Sequence, residues 1–169
     1  MIFKRDLKRA YRQLAVDPGD IHLLSYKWRG HVYLDRVLAM GLRSAAYMCM
    51  RTTSAYICKD IGRDILKYLD DLAGCESPEK SWDAFNNLGK ILDRCGFEES
   101  VEKACPPNTK MIFVGILFDT KNLTISIDGQ RLAEISQLVL DLLTKQVCNI
   151  KDLQSLLGKL NFVSQCVRP

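Results

Sequence analysis

The feature that most constrains this chain is the change of hydrophobic period along its first two thirds. A strand-like apolar start, "MIFKRD", is followed later by "RSAAYMCMRTTSAYICKDIG", from Arg43 to about Gly62. That stretch has no strand alternation and is apolar or small nearly all round, which predicts a buried helix. "DILKYL" and "LAGC" are short apolar runs that meet at Asp70-Asp71 and predict a hairpin. Ser77-Pro78 then has the form of an N-cap and first helical residue. Trp82, Phe85, Leu88, Leu92 and Cys95 keep helical spacing, and Gly96 suits the position after the helix end. "SVEKAC" supplies a further strand. The order strand, helix, strand, strand, helix, strand predicts an α+β fold of the split βαβ, ferredoxin-like kind, βαββαβ.

The remaining segments decorate that frame. "AYRQLAVDPGD" is a turn closed by Pro18-Gly19, and "IHLLSYKW", Arg29-Gly30 and "HVYLDRVLA" predict a hairpin inserted after the first strand. Pro106-Pro107-Asn108 is expected to be a loop, and "KMIFVGILFD" with "NLTISID" a third hairpin. Two amphipathic helices finish the chain, one carrying Leu132, Ile135, Leu138, Val139 and Leu142. The other carries Leu153, Leu156, Leu157, Leu160 and Val163, with Asn149 as its cap. The expected division is a first domain over 1–118 and a hairpin strand with helices over 119–169.

In a ferredoxin-like sheet the third strand lies beside the first and runs antiparallel to it. Asp6 ends strand one and Asp70-Asp71 precede strand three, so this topology predicts that carboxylates far apart in sequence meet at one edge, with strands about 4.8 Å apart. Anions so close must be protonated, solvated apart or bridged by cations. Hard oxygen donors with no soft or imidazole partner favour Mg²⁺ or Mn²⁺, and two such ions about 4 Å apart suit phosphoryl transfer. The competing reading is a solvated turn, because aspartate is a favoured turn residue.

At 169 residues and 47% hydrophobic, the chain has enough apolar material for a core. A net charge of +4 is compatible with a polyanionic partner and does not require one. Seven cysteines at 49, 58, 75, 95, 105, 148 and 166 include no C-x-x-C pair, and the histidines are His22 and His31, so neither a zinc site nor a disulfide framework is indicated. With no secretory signal and no membrane-spanning apolar run, the expectation is an intracellular protein, cytoplasmic or nuclear, not secreted.

These residues resemble the palm of a reverse transcriptase. "KYLDD" is similar to the family's Y-x-D-D motif, and "FKRDLKRAYRQL" to its D-x-x-x-A-[YF] motif. "LAMGLRSAAY" resembles the glycine-containing motif that opens the template-gripping helix, and "FVG" at 113–115 the F-L-G primer-grip hairpin. The tail "DLQSLLGKLNFVSQCVRP" resembles the segment after the palm in retrotransposon polymerases, especially gypsy-like and DIRS-like elements.

The resemblance implies RNA-directed DNA polymerisation: two-metal nucleotidyl transfer with an RNA or DNA template, a DNA primer and dNTPs, and no membrane partner. It implies that Asp6 and Asp70 hold two Mg²⁺ or Mn²⁺ ions, that Asp71 supports them, and that the Leu7 carbonyl is a further donor. Tyr11 falls where the family keeps an aromatic that excludes a ribose 2′-hydroxyl; simple core packing is the other reading. Gly41, with Met40 before it and Arg43 and Ser44 after it, falls where backbone approaches nucleic acid at a helix start. Lys103 lies near the family's lysine that protonates departing pyrophosphate, with Lys110 a competing candidate. Of the cluster Lys4, Arg5, Lys8, Arg9 and Arg12 around Asp6, Arg9 and Arg12 are the candidates for phosphate contact. Phe113, Val114 and Gly115 form the implied primer grip.

The chain departs from the family at Ala39 and Met40, where proline and phenylalanine or glutamine are common before the glycine, and at Ala46, where proline is common. Its first strand also starts with almost no chain ahead of it, so the sequence reads as a fragment or truncated element whose fingers segment is expected upstream. A non-catalytic nucleic-acid-binding module is the alternative, either a degenerate palm or an RNA-recognition-like domain in which "MIFVGIL" stands for the RNP2 strand. The latter needs a second aromatic strand, and its nearest candidate, "GKLNFVSQ", continues a helical stripe.

Overall fold

The computed structural model describes residues 1–61, 65–145, 147–164 and 166, with backbone alone for residues 58–61. Gly62, the expected end of the first helix, and Asp64, the expected start of the second hairpin, lie outside the described residues, as do residues 165 and 167–169 of the tail. The chain forms two compact units, Met1–Asn108 and Thr109–Pro169.

In the first unit, β1 (Ile2–Asp6) leads into a short 3-10 turn, Ala10–Gln13, and then into a hairpin of β2 (Ser25–Trp28) and β3 (His31–Leu34). After α1 (Ala45–Ile61) come β4 (Ile65–Tyr68), β5 (Asp71–Cys75), α2 (Pro78–Arg94) and β6 (Cys105–Asn108). The sheet order is β4-β5-β1-β6 with antiparallel neighbours throughout. This is the expected ferredoxin-like order, with the third strand of that frame between the first and second and the inserted hairpin forming its own two-stranded sheet.

Phe3, Leu7, Leu72, Leu88, Leu92, Cys49 and Ile57 are almost wholly buried in one cluster that joins sheet to helices. Alternation along β1 turns Phe3 and Arg5 to α2. The Phe3 and Phe85 rings meet edge to face at 6.0 Å, and the Arg5 guanidinium lies 3.8 Å over Phe85. Arg5 also donates to the Phe85 carbonyl at 2.9 Å and to both Glu99 oxygens at 2.6 Å, so it ties α2 to the segment entering β6. α2 ends in a Schellman motif: Gly96 takes a φ of +74°, and the Gly96 and Phe97 amides donate to Asp93 and Leu92. Only glycine holds that conformation without steric cost.

Several elements differ from the sequence expectation. α1 buries a single stripe, Ala45, Cys49, Thr53 and Ile57, and leaves Tyr47, Met48 and Tyr56 exposed; the small and apolar residues that made it look buried all round line both faces. Ile21–Leu24 of "IHLLSYKW" is a 3-10 turn ahead of β2, and beyond Leu34 only an isolated bridge, Ala15 to Val37, continues "HVYLDRVLA". Val101–Lys103 of "SVEKAC" is likewise a 3-10 turn, started by Ser100, whose carbonyl accepts from Lys103. The edge strand is instead β6, built on Pro106-Pro107, which sequence had made a loop. Proline is tolerated there because an edge strand has a free side on which no amide is needed.

The second unit is a three-stranded antiparallel sheet, β7 (Lys110–Phe113), β8 (Ile116–Asp119) and β9 (Thr124–Ile127), followed by α3 (Gly129–Thr144) and α4 (Ile150–Ser164). "KMIFVGILFD" is therefore two strands folded back on themselves rather than one arm of a hairpin. Val114 and Gly115 both have positive φ, 51° and 77°, the combination a tight type I′ connection requires. Asn149 caps α4 as expected, its side-chain oxygen accepting from the Lys151 amide at 2.9 Å. "GKLNFVS" lies inside α4, so no second RNP-type strand forms from it. Among the described residues, no helix is long and apolar enough to cross a membrane.

Candidate active site

β1 and β5 pair so that Phe3 faces Gly74, Arg5 faces Leu72, Lys4 faces Ala73 and Asp6 faces Asp71. Because Phe3 and Arg5 point to α2, the alternate residues Lys4 and Asp6 lie on the opposite face of the sheet, with Ala73 and Asp71 beside them. Asp6 and Asp71 are thus direct cross-strand neighbours, a pairing of like charges that weakens a sheet. Asp70 occupies the two-residue turn between β4 and β5, after Leu69 with its φ of +54°. The Leu7 amide donates to the Asp70 carbonyl at 2.8 Å, and the Asp6 carbonyl accepts from Ser100 at 2.8 Å. The three aspartates are therefore fixed by backbone bonds that do not involve their carboxylates.

Asp6 is only 4% exposed, and its Oδ1 has no hydrogen-bond partner among the described residues. Burial pushes its carboxyl above the ordinary range; Lys103 works against this, and Asp70 and Asp71 add to it. The Lys103 ammonium stands 3.6 Å from that same Oδ1, an ionic contact longer than a hydrogen bond. Lys4 Nζ lies 3.0 Å from Asp71 Oδ1. Burial works against the Lys4 charge, but its bond to Asp71 and the charges of Asp71, Cys105 and Asp6 together outweigh this and raise its pKa. Two lysines thus supply the positive charge that this group of carboxylates demands.

Of the other expected residues, Tyr11 is half-buried against the core; burial pushes its phenol up, with Cys49, Asp70 and Tyr68 adding. Arg9 is exposed with a φ of +51°, and Arg12 is bound to Asp35 at 2.6 Å. Met40 and Gly41, the latter with a φ of +91°, lie in a turn before α1 rather than at its first residue. Arg43 is exposed, and the Ser44 carbonyl accepts from Met48 at 2.9 Å, which makes Ser44 the start of the helical ladder. Among the described residues no hydrogen bond or ion pair joins these four to the carboxylates. Phe113, Val114 and Gly115 form the β7–β8 turn of the second unit, where Lys110 pairs with Asp119 at 3.1 Å.

The residue that sequence reasoning undervalued is Lys4. It was counted within a basic cluster, yet it stands two positions before Asp6 on a strand, and the period of two already assigned both to one face. Lys8, counted with it, pairs with Glu98.

Among the described residues, no three His, Cys, Asp or Glu side chains form a ready-made metal group. The donor chemistry nevertheless fits a hard divalent cation: a buried carboxylate oxygen without a hydrogen-bond partner, a second carboxylate directly opposite, and a third in the adjoining turn. Mg²⁺ is commonly held by one or two carboxylates completed by water and substrate phosphates, not by an all-protein cage.

No protein-family model matches the chain, and no curated protein matches it. Solved structures do. The foamy viral protease-reverse transcriptase in complex with an RNA/DNA hybrid superposes with a TM-score of 0.81 at 18% identity, over 95% of this chain and 21% of that one. A dRH form of it in complex with double-stranded DNA gives 0.78 at 18% identity, over 95% and 27%. A further complex with double-stranded DNA gives 0.77 at 18% identity, over 95% and 32%. The chain spans between 21% and 32% of the length of these proteins and shares the fold of that part of a reverse transcriptase.

Proposed function

We propose that this chain is the palm of an RNA-directed DNA polymerase of a retroelement, gypsy-like or DIRS-like, adding dNTPs to a DNA primer on an RNA or DNA template. The observation that carries this reading is the Asp6–Asp71 pairing with its hydrogen-bond-free buried oxygen, beside the Asp70 turn. A like-charge pair costs stability and is retained where a bound cation uses it. The foamy viral neighbours, solved on RNA/DNA hybrid and on double-stranded DNA, support nucleic acid as the partner. An intracellular setting, cytoplasmic or nuclear, goes with this reading.

In this reading Asp6 and Asp70, with Asp71 in support and the Leu7 carbonyl as a further donor, hold two Mg²⁺ or Mn²⁺ ions. Such ions, when bound, acidify the primer 3′-hydroxyl and neutralise the phosphates in transit. The residues of the chain do the rest. Lys103, already at the carboxylates, is placed to give its proton to the departing pyrophosphate; Lys110 is engaged with Asp119 in the other unit, which makes Lys103 the better candidate. Tyr11, half-buried against the core, offers its ring to the sugar and excludes a 2′-hydroxyl. Met40, Gly41, Arg43 and Ser44 meet the template and nucleotide at the entrance to α1. Arg9 is open to phosphate, whereas Arg12 acts through its bond to Asp35. Phe113, Val114 and Gly115 hold the primer.

A second reading, a non-catalytic nucleic-acid-binding palm, is favoured by one observation: Lys4 and Lys103 already balance Asp71 and Asp6. Mn²⁺ titration of the chain followed by electron paramagnetic resonance separates the two. The polymerase reading expects saturable binding that Asp6→Asn and Asp70→Asn each remove, and primer extension by the full product of the reading frame that Asp70→Asn reduces to background. Extension unchanged by Asp70→Asn overturns the assignment of the site.

A further inference from the structure

The β2–β3 hairpin pairs Tyr26 with Tyr33 and Trp28 with His31. Cross-strand partners share a face, and so do residues two apart, so all four ring-bearing side chains of the hairpin lie on one side of it. Tyr26, Trp28 and Tyr33 are 57%, 60% and 43% exposed. The two tyrosine rings stack at 5.4 Å and 17°, and the Arg29 guanidinium lies 5.7 Å over the Trp28 ring. Val32 and Leu34, the aliphatic residues, occupy the opposite side with Ser25 and Lys27. Residues 25–34 carry Lys27, Arg29 and His31 and contain no aspartate or glutamate. The first carboxylate beyond them, Asp35, is neutralised by Arg12 at 2.6 Å.

A two-stranded hairpin is marginal in water, and one that leaves its rings in solvent forgoes the burial that would steady it. We propose that the ring face of β2–β3 is a stacking platform for a single-stranded stretch of nucleic acid. This deepens the reading of the chain as a nucleic-acid-binding palm and rests on it. Flat π-surfaces receive bases regardless of sequence, and the neighbouring cations receive phosphates. A protein partner would find its apolar contacts on the Val32 and Leu34 side, and the ring side pairs polar-tipped rings with the Arg29 guanidinium over Trp28. That combination is complementary to bases on a polyanion.

The test uses the whole chain with Trp82→Phe, which leaves Trp28 as the sole tryptophan. A short single-stranded dT oligonucleotide is titrated and Trp28 emission followed. The expected result is saturable quenching. Tyr26→Leu with Tyr33→Leu, which keeps apolar cross-strand contact and removes the rings, weakens binding by about tenfold or more, and Tyr26→Phe with Tyr33→Phe retains it. Arg29→Ala lowers the slope of log affinity against log salt by about 0.7, whereas Lys27→Ala, on the opposite side, leaves it unchanged. Absent quenching, or affinity indifferent to the leucine pair, overturns the platform. So does Trp28 emission that changes with protein concentration alone, which marks a second copy as the occupant. Asp70→Asn is expected to leave the quenching intact. In the parent chain, quenching without saturable Mn²⁺ binding sinks the polymerase reading alone, and saturable Mn²⁺ binding without quenching sinks the platform alone.

Discussion

The Leu7 amide donates to the Asp70 carbonyl at 2.8 Å, so the turn that presents Asp70 is fastened to the residue that follows Asp6. With Asp6 and Asp71 directly paired one register step away, the backbone of three segments brings the carboxylates together, and the Lys4 bond to Asp71 adds to that hold. A site of this kind is rigid before any ligand arrives and carries its electrostatic cost in the free protein.

Asp6→Asn is expected to stabilise the free chain at neutral pH. The folded Asp6 carboxyl titrates above its ordinary 3.8, because burial, and then Asp70 and Asp71, outweigh Lys103. The folded state therefore binds more protons than the unfolded chain between that value and the raised one. Stability from this group falls as pH rises through the window. Urea unfolding should show Asp6→Asn more stable than the parent at about pH 7, with the gap closing at about pH 4.

Asp119 titrates in the opposite sense. The Asn122 amide, with Lys110 and the Asn122 side chain, holds it down at about 2, despite burial. Its contribution is present above the ordinary value of 3.8 and is lost as pH falls from there towards 2. Asp119→Asn should make the second unit less stable at neutral pH and erase that acid-side loss, read by thermal unfolding across the acid range.

Lys4→Met removes the partner of Asp71 and leaves two facing carboxylates with Lys103 as their remaining counter-charge. Both side chains of the pair are mostly buried, 16% and 20% exposed, so the loss should be about 1–3 kcal/mol in chemical denaturation. Millimolar Mg²⁺ should restore part of it, because the cation takes the place of the ammonium.

Gly74→Ala puts a methyl 2.3 Å from the Phe3 ring, which is itself 1% exposed in the core. The ring has no room to withdraw, so overpacking should cost about 1–3 kcal/mol. Since Phe3 and Gly74 share the ladder that aligns Asp6 with Asp71, Mn²⁺ affinity should fall together with stability.

The parts of the fold that were legible in sequence are those where local and long-range signals agree. α2 carries its cap, its stripe and its terminal glycine in one run. The hairpin at Asp70 follows from two short apolar segments, and the sheet order then places Asp6 beside it. β6 was missed because Pro106 and Pro107 signal a loop locally, whereas the long-range partner, β1, decides the matter. The stripe of α1 was blurred by small residues that suit either face, and the 3-10 turn at Val101–Lys103 hid behind a valine with strand propensity. At the site, the aspartates and Lys103 were visible through sequence motifs, and Lys4 as the partner of Asp71 was not, since an ion pair between strands depends on register.

The two ends of the four-stranded sheet differ in how they meet further strands. On the β6 side, Pro106 and Pro107 bring no amide hydrogens, so another chain laid alongside would find gaps in its ladder. On the β4 side, Ile65–Tyr68 has no proline, and Leu66 and Tyr68 are exposed. Any assembly or aggregation that proceeds by adding strands to this sheet is thereby directed to one side, the one that also carries the turn of Asp70.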